Sequence, residues 1–125
     1  MNSEPLAGRR IVIVEDDYFQ AEDSRRLLER AGAQIVAIAA TTPDLAELLA
    51  LGSVDAGLID INLGRTHSLD FARALRDHAI PFVFLTGYDA AMLPEDLADG
   101  PCISKPADSE RIVAELCNLM LAREG

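Results

Sequence analysis

The stretch AGLIDI at residues 56–61 sets the fold class, because it is a continuous apolar run that carries one acid near its end. Apolar residues that do not alternate with polar ones are typical of strands buried on both faces of a parallel sheet. Asp60 stands where this strand runs out of the core, and the chain continues with Asn62 and Gly64. Burying an unpaired carboxylate costs free energy. The position of Asp60 therefore needs a chemical explanation.

Four other short apolar runs have the same character and predict further strands. They are IVIV (11–14), IVAIAA (35–40), FVFL (82–85) and CIS (102–104). Amphipathic stretches separate the runs, and strands that alternate with helices form a parallel sheet covered on both faces. We therefore predict one three-layer α/β domain over residues 1–125, with five strands and five helices.

Capping residues mark the starts of the first two predicted helices. Asp17 followed by Gln20 is a capping-box arrangement at the start of the first helix. Thr42 followed by Pro43 predicts the N-cap and the first residue of the second helix.

The later helices have less regular signals. The third helix is predicted to begin at Ser68 and the last near Asp108. The segment 87–101 should hold the fourth helix, yet Pro94 interrupts it. A proline inside a helix removes a hydrogen bond and clashes with the preceding turn, so we predict a short or marginally stable helix there.

The charge balance excludes some classes of partner. The formal net charge is −10 at pH 7, which repels nucleic-acid phosphates and anionic membrane surfaces. We therefore expect no nucleic acid and no membrane among the partners, but a cation site or a basic protein. Cys102 and Cys117 fit no metal-binding or redox spacing, so we interpret them as small buried apolar residues in a reducing compartment.

The termini of the chain and its apolar stretches indicate where in the cell the protein is found. The N-terminus lacks the basic and apolar parts of a signal peptide, and no apolar stretch approaches the roughly 20 residues of a membrane span. We therefore expect a cytoplasmic protein. The chain starts at Met1 and ends close behind its last predicted helix, so we expect an intact single-domain protein more than a fragment.

Polar side chains follow four of the predicted strands at the point where each strand ends. These residues are Glu15, Asp16, Asp17, Asp60, Asn62, Thr86, Ser104 and Lys105. In open parallel sheets, ligands bind outside the carboxyl ends of the strands. We therefore expect these groups to share one edge of the sheet.

The residue types at this edge are suited to phosphoryl transfer. Carboxylates about 4–5 Å apart repel by roughly 3–4 kcal/mol at an effective dielectric near 20. A Mg²⁺ ion would remove that cost, since it binds carboxylates, carbonyls and water. Asp60 could then act as the nucleophile while Lys105 and the metal neutralise charge on the phosphoryl oxygens.

Four motifs along the chain resemble those of one known family. IVIVEDD, LIDINLG, FLTG and SKP, in this order and spacing, resemble the receiver domain of two-component response regulators. The likeness covers nearly the whole chain, from the first strand to the last helix. It implies a doubly wound (βα)5 flavodoxin-like fold with a parallel five-stranded sheet of order 2-1-3-4-5.

The resemblance also implies a role for each residue that matches a family motif. Asp60 resembles the phosphoacceptor, and Thr86 and Lys105 resemble the switch hydroxyl and the phosphate-pairing lysine. The implied Mg²⁺ ligands are Asp16, Glu15 (often through water), Asp60 and the main-chain carbonyl of Asn62.

One sub-pattern and two departures refine the resemblance. IPFVFLTGY (80–88) is similar to a group of single-domain receivers from alphaproteobacteria with a PFxFATGY-like stretch, although Leu85 stands where that group often has Ala. Cys102 and Ala107 occupy positions that are usually aromatic in the family, so this sequence departs from the aromatic half of the family's switch. Tyr88 is a candidate to supply an aromatic signal instead.

The expected function is therefore that of a single-domain response regulator, not an enzyme with a separate substrate. It would accept a phosphoryl group from a histidine kinase or a histidine phosphotransfer protein, with Mg²⁺ as its cofactor. Phosphorylation would change binding of a downstream protein through residues 87–125. A receiver that acts mainly as a phosphate sink is the alternative.

Two rival classes fit the sequence less well. A small aspartate-nucleophile phosphatase of haloacid-dehalogenase type would match Asp60 and Asn62, but this chain is short and its candidate nucleophile follows the third strand instead of the first. A flavodoxin-like cofactor-binding module would need a phosphate-binding loop, and no glycine-rich motif of that kind is present.

Overall fold

A parallel five-stranded sheet forms the centre of the computed structural model, which describes residues 4–40, 44–61, 67–86, 97, 102–104 and 109–124. Its strands are β1 (Arg10–Val14), β2 (Gln34–Ala39), β3 (Ala56–Ile61), β4 (Phe82–Thr86) and β5 (Cys102–Ser104). The helices are α1 (Tyr18–Arg30), α2 (Leu45–Ala50), α3 (His67–Asp77) and α4 (Ser109–Glu124). The strand order is β2-β1-β3-β4-β5, which confirms the predicted order and the flavodoxin-like fold.

Alternating side chains divide the core into two layers, one on each face of the sheet. Ile13, Leu58 and Leu85 belong to a cluster that includes Leu28 of α1 and Leu116 of α4. The residues that follow or precede them in the strands belong to a second cluster, which α2 and α3 cover. Two layers of helices around a parallel sheet explain the continuous apolar runs, because these strands are buried on both sides.

Strand β2 differs from the prediction of a fully buried strand. None of its six residues is buried, and Ile38 is 39% exposed. The cause is its position at the edge of the sheet, where β1 is its one neighbouring strand. An apolar run predicts a strand but does not show where in the sheet that strand lies.

The helix starts were predicted with mixed success. Asp17 is the N-cap of α1, and its carboxylate accepts hydrogen bonds from the backbone N–H groups of Phe19 and Gln20. The predicted N-cap Thr42 was wrong, because Asp44 caps α2 by accepting a hydrogen bond of 2.9 Å from the N–H of Ala46. A carboxylate is the stronger of the two capping groups, since it also complements the helix dipole.

The remaining helix predictions were close or fall outside the described residues. Helix α3 begins at His67 and α4 at Ser109, each one residue from its predicted start. The helix predicted in 87–101, together with Pro94, lies outside the described residues, of which Leu97 alone belongs to that segment.

A short N-terminal arm, residues 4–9, packs below the sheet and was not predicted. Leu6 is fully buried in the first core cluster. Its backbone N–H donates to the carbonyl of Ala31 at 2.8 Å, and the N–H of Gly8 donates to the carbonyl of Gly32 at 3.2 Å. These bonds hold the arm against the C-terminal end of α1.

Within the part of the chain that is described, no helix is long and apolar enough to cross a membrane.

Candidate functional site

Three polar side chains are buried among the residues that the structure describes: Glu15, Asp60 and Thr86. They stand at the carboxyl ends of β1, β3 and β4, which are the three central strands of the sheet. The rest of the described core is apolar, so burial singles out one edge of the sheet. This is the edge at which the sequence predicted a site.

The strand register places the two buried carboxylates at the same level. Val14 pairs with Ile59, so Glu15 follows β1 at the height of Asp60 on the neighbouring strand. Adjacent strands lie about 4.8 Å apart. Thr86 pairs with Ile61, which puts its hydroxyl group one residue beyond the level of Asp60.

The backbone around Glu15 fixes the direction of its side chain. The N–H of Glu15 donates to the carbonyl of Ala39 at 2.9 Å, which extends the ladder between β1 and β2 by one residue. Its Oε1 accepts a hydrogen bond of 3.0 Å from the N–H of Asp17. Glu15 is therefore held between the end of a strand and the start of α1.

The three consecutive acids after β1 have three different environments. Glu15 is buried, Asp17 caps α1, and Asp16 between them is exposed at the same edge. Asp16 and Asp17 are both exposed, but Asp17 caps the helix, so Asp16 is the exposed acid of this triplet that does not serve as the N-cap.

Asp60 is the most enclosed acid of the site, with 5% of its surface exposed. Its Oδ1 is buried and accepts no hydrogen bond within the described coordinates, although the residue has another interaction. A carboxylate in this position is protected from most of the bulk water.

The donor set fits a hard divalent cation. No three His, Cys, Asp or Glu side chains among the described residues form a ready-made metal cluster. Mg²⁺ does not need one, because it is usually bound by one or two carboxylates and keeps several water ligands. Glu15, Asp16 and Asp60 supply such carboxylates at one edge.

The other predicted site residues fall outside the described residues or at their border. Asn62 and Lys105 lie outside them, as do Tyr88 and Ala107. Their places relative to Asp60 stay predictions.

Cys102 is the described residue at the position that is usually aromatic. It pairs with Phe84 across β4 and β5 and packs against the second core cluster, but it is only partly buried. Burial raises the pKa of its thiol. Cys117 is likewise partly buried and packs against the first cluster, so both cysteines are apolar contacts at the border of the core, as free thiols.

Sequence reasoning missed an exposed aromatic pair beside the site. Tyr18 and Phe19 begin α1 directly after the acids, and they are 71% and 77% exposed. Their rings meet edge to face with centroids 5.7 Å apart. The available signal was their position, since two of only six aromatic residues in the chain follow the acidic triplet.

Comparison with known proteins gives the family. The model of the response regulator receiver domain matches residues 11–117. The chain belongs to the response regulator receiver domain family. As a receiver domain it has the fold and the setting of two-component signalling that support a phosphoacceptor role. The subgroup suggested by residues 80–88 stays a prediction.

Solved structures agree with this assignment. SdrG from Sphingomonas melonis Fr1 is 30% identical, with 90% of this chain and 96% of SdrG covered and a TM-score of 0.72. PhyR from Brucella abortus is 25% identical with a TM-score of 0.72, covering 92% of this receiver but 49% of PhyR, so the chain spans about half of that protein.

A third structure shows the fold alone. A response regulator receiver protein from Sinorhizobium medicae WSM419 is 22% identical, with 94% of this chain and 98% of that chain covered and a TM-score of 0.77. No curated protein matches the chain.

Proposed function

We propose that this receiver accepts a phosphoryl group on Asp60 from a phosphohistidine of a histidine kinase or histidine phosphotransfer protein. The observation that carries the proposal is the burial of Glu15, Asp60 and Thr86 at the ends of the three central strands, within a core that is otherwise apolar in the described residues. Family membership supports the same reaction.

The transfer is a single in-line displacement. A carboxylate oxygen of Asp60 forms a bond to phosphorus as the bond between phosphorus and the donor imidazole nitrogen breaks, and the imidazole leaves. The enclosed position of Asp60 supports this role, because a carboxylate that is largely removed from water is less strongly solvated than one on the surface. The same residues would later admit water, which hydrolyses the acyl phosphate.

The proposed cofactor is Mg²⁺, held by Glu15, Asp16, Asp60 and the main-chain carbonyl of Asn62. The bound ion would supply positive charge next to the phosphoryl oxygens, and Lys105 would supply a second positive charge. Glu15 orients this set, because its other contact, to the N–H of Asp17, fixes where its carboxylate lies.

The proposed signal is a change in partner binding. Phosphorylation adds about −1.5 to −2 charges at Asp60. The Thr86 hydroxyl, one residue beyond the level of Asp60, would turn toward the new phosphoryl oxygens and alter the chain that follows β4. Residues 87–125 are the proposed surface for a downstream protein. The receiver acts stoichiometrically and catalyses its own phosphorylation and dephosphorylation, so we do not class it as an enzyme.

The test is phosphorylation of the purified chain by a small donor. The protein is incubated with Mg²⁺ and acetyl phosphate or phosphoramidate, and its intact mass is measured. We expect a gain of one phosphoryl group that disappears in Asp60→Asn and in the presence of a chelator. The matched control is Asp77→Asn at the exposed end of α3, which should keep the gain. A gain that survives Asp60→Asn would refute the assignment.

A further inference from the structure

The N-cap residue of α1 makes hydrogen bonds in two directions. The carboxylate of Asp17 accepts from the backbone N–H groups of Phe19 at 2.9 Å and Gln20 at 3.1 Å, which holds the first turn of the helix. The backbone N–H of the same residue donates to Oε1 of Glu15 at 3.0 Å. Asp17 therefore joins the start of a helix to a buried acid of the candidate site.

This use of the backbone N–H differs from an ordinary helix start. In a capping box, the side chain of the N-cap residue accepts from the N–H of the third helical residue, whose own side chain accepts from the N–H of the N-cap. The first half of this arrangement is present between Asp17 and Gln20. For the second half, the N–H of Asp17 donates to Glu15, two residues before the helix. The bond that closes a capping box is thus made here to a group of the site.

The direction of this N–H depends on the cap. Asp17 has φ of −88° and ψ of 116°, the extended conformation of an N-cap, and its side chain stabilises that conformation by accepting from two N–H groups of the following turn. The first two helical residues, Tyr18 and Phe19, are exposed, so packing contributes little to holding this turn. Loss of the capping carboxylate would therefore release the backbone of Asp17 and, with it, the orientation of Glu15.

We propose that Asp17 is a positioning residue for the Mg²⁺ site and acts through Glu15. This role rests on the proposed function, in which Glu15, Asp16 and Asp60 bind the ion. Groups that hold a metal ligand in place typically contribute about 10- to 100-fold to metal affinity. Asp17 holds Glu15 through a backbone N–H that remains when its side chain is removed, so we expect a smaller contribution of about 5- to 10-fold.

The coupling between the cap and the metal is reciprocal. If the cap raises the affinity for Mg²⁺ by some factor, bound Mg²⁺ stabilises the cap by the same factor. Tyr18 and Phe19 form the beginning of the capped turn, and their exposed rings meet edge to face. Metal binding would therefore also order the surface that these two rings form beside the site.

Titration calorimetry with MgCl₂ tests the role of Asp17 through the Kd of the metal. Asp17→Ala should raise this Kd by about 5- to 10-fold. Asp17→Asn removes the charge but keeps a capping side chain, so its Kd should stay within about two-fold of that of the unmodified chain. The matched control is Asp44→Ala, because Asp44 caps α2 with the same pair of bonds, from the N–H groups of Ala46 and Glu47, and no acid stands two residues before it. This control should lose stability and keep the Kd.

Amide hydrogen exchange supplies a second measurement, on the unmodified chain. Saturating Mg²⁺ should slow the exchange of the N–H groups of Phe19 and Gln20 by about the same 5- to 10-fold, because opening of the turn then also weakens the bound metal. The N–H groups of Ala46 and Glu47 at the cap of α2 should exchange at the same rate with and without the metal. Equal slowing at both caps would overturn the proposal.

The results of the titration separate this role from the proposed cofactor. If the unmodified chain binds no Mg²⁺, the cofactor and the role of Asp17 are both wrong. If it binds Mg²⁺ and Asp17→Ala has the same Kd as Asp44→Ala, the role of Asp17 alone is overturned. Equal losses of affinity in Asp17→Asn and Asp17→Ala also overturn it, because the effect would then come from the charge of the side chain and not from the cap.

Discussion

Replacing Gly32 with alanine should destabilise the receiver more than the same change at its other glycines with positive φ. Gly32 follows the end of α1 with φ of +98°. A Cβ at this position would lie 2.8 Å from Cα of Ala7 and 2.9 Å from Cβ of Glu4. The arm approaches this closely because its backbone is bound to the carbonyl of Gly32. The overlap is therefore with backbone, which moves only if the arm moves.

Two further glycines act as controls, because they share the positive φ and differ in their neighbours. A Cβ at Gly8 (φ +75°) would meet nothing within 4 Å. A Cβ at Gly52 (φ +137°) would lie 2.9 Å from the guanidinium of Arg10, which can move at the cost of its hydrogen bond to Ser53.

The expected losses follow from adding separate contributions. A left-handed conformation costs an L-residue about 1–2 kcal/mol, and the smaller entropy of the unfolded chain returns about 0.4–1 kcal/mol. Gly8→Ala should therefore lower the free energy of unfolding by about 1 kcal/mol. The lost hydrogen bond adds about 1 kcal/mol for Gly52→Ala. Backbone overlap adds about 1–3 kcal/mol for Gly32→Ala, for a total near 2–4 kcal/mol.

Urea denaturation measures all three losses from the shift in midpoint at constant slope. The order of destabilisation should be Gly8→Ala, then Gly52→Ala, then Gly32→Ala. If Gly32→Ala costs no more than Gly8→Ala, the arm is not seated against α1 as described, and the reasoning fails.

Three other predictions concern single sites. Leu6→Ala should lower the free energy of unfolding by about 2–5 kcal/mol in urea, because it empties a fully buried site; a loss under about 1 kcal/mol would contradict the buried arm. Ala79→Gly should raise the melting temperature through a gain of up to about 1 kcal/mol, because Ala79 lies in the turn after α3 with φ of +57°; a lower melting temperature would contradict this. Cys102 should react with iodoacetamide more slowly than a free thiol at pH 8, by mass spectrometry, because burial raises its pKa; equal rates would count against it. The raised pKa also makes stability depend on pH, because the Cys102 thiol loses its proton at lower pH in the unfolded chain than in the folded one. The contribution of the protonated thiol to the free energy of unfolding is complete below the unfolded pKa and is lost as pH rises through the folded pKa.

The sequence predicted the central strands because their residues are apolar without interruption. Residues 11–14 of β1, 56–60 of β3 and 82–86 of β4 are all buried, so side chains on both faces of these strands have the same environment. The run of β2 looks the same, but its edge position follows from how the strands are ordered, which local composition does not encode. The arm was missed because one leucine, Leu6, anchors it, and a single apolar residue has no periodicity.

The second helix shows how local signals compete. The stretch TTPD offers Thr42 and Asp44 as N-caps, with Pro43 favouring the first. The chain uses Asp44, whose carboxylate accepts from the N–H groups of Ala46 and Glu47. The N-cap preferences of threonine and aspartate are similar, so they do not choose between Thr42 and Asp44. The choice depends on where the helix must begin to pack Leu45 into the core.

The candidate site could be predicted because parallel strands end at one edge, so residues far apart in sequence become neighbours. Glu15 and Asp60 are 45 positions apart, yet the register puts them at one level on adjacent strands. Burial of both is hard to explain by stability, because apolar residues of similar size are often neutral or stabilising in place of buried charges. Two carboxylates enclosed at the ends of adjacent strands are what the proposed cation and phosphoryl group would require. LIDINLG places Asp60 one residue before the end of β3, buried at the level of Glu15 on the neighbouring strand.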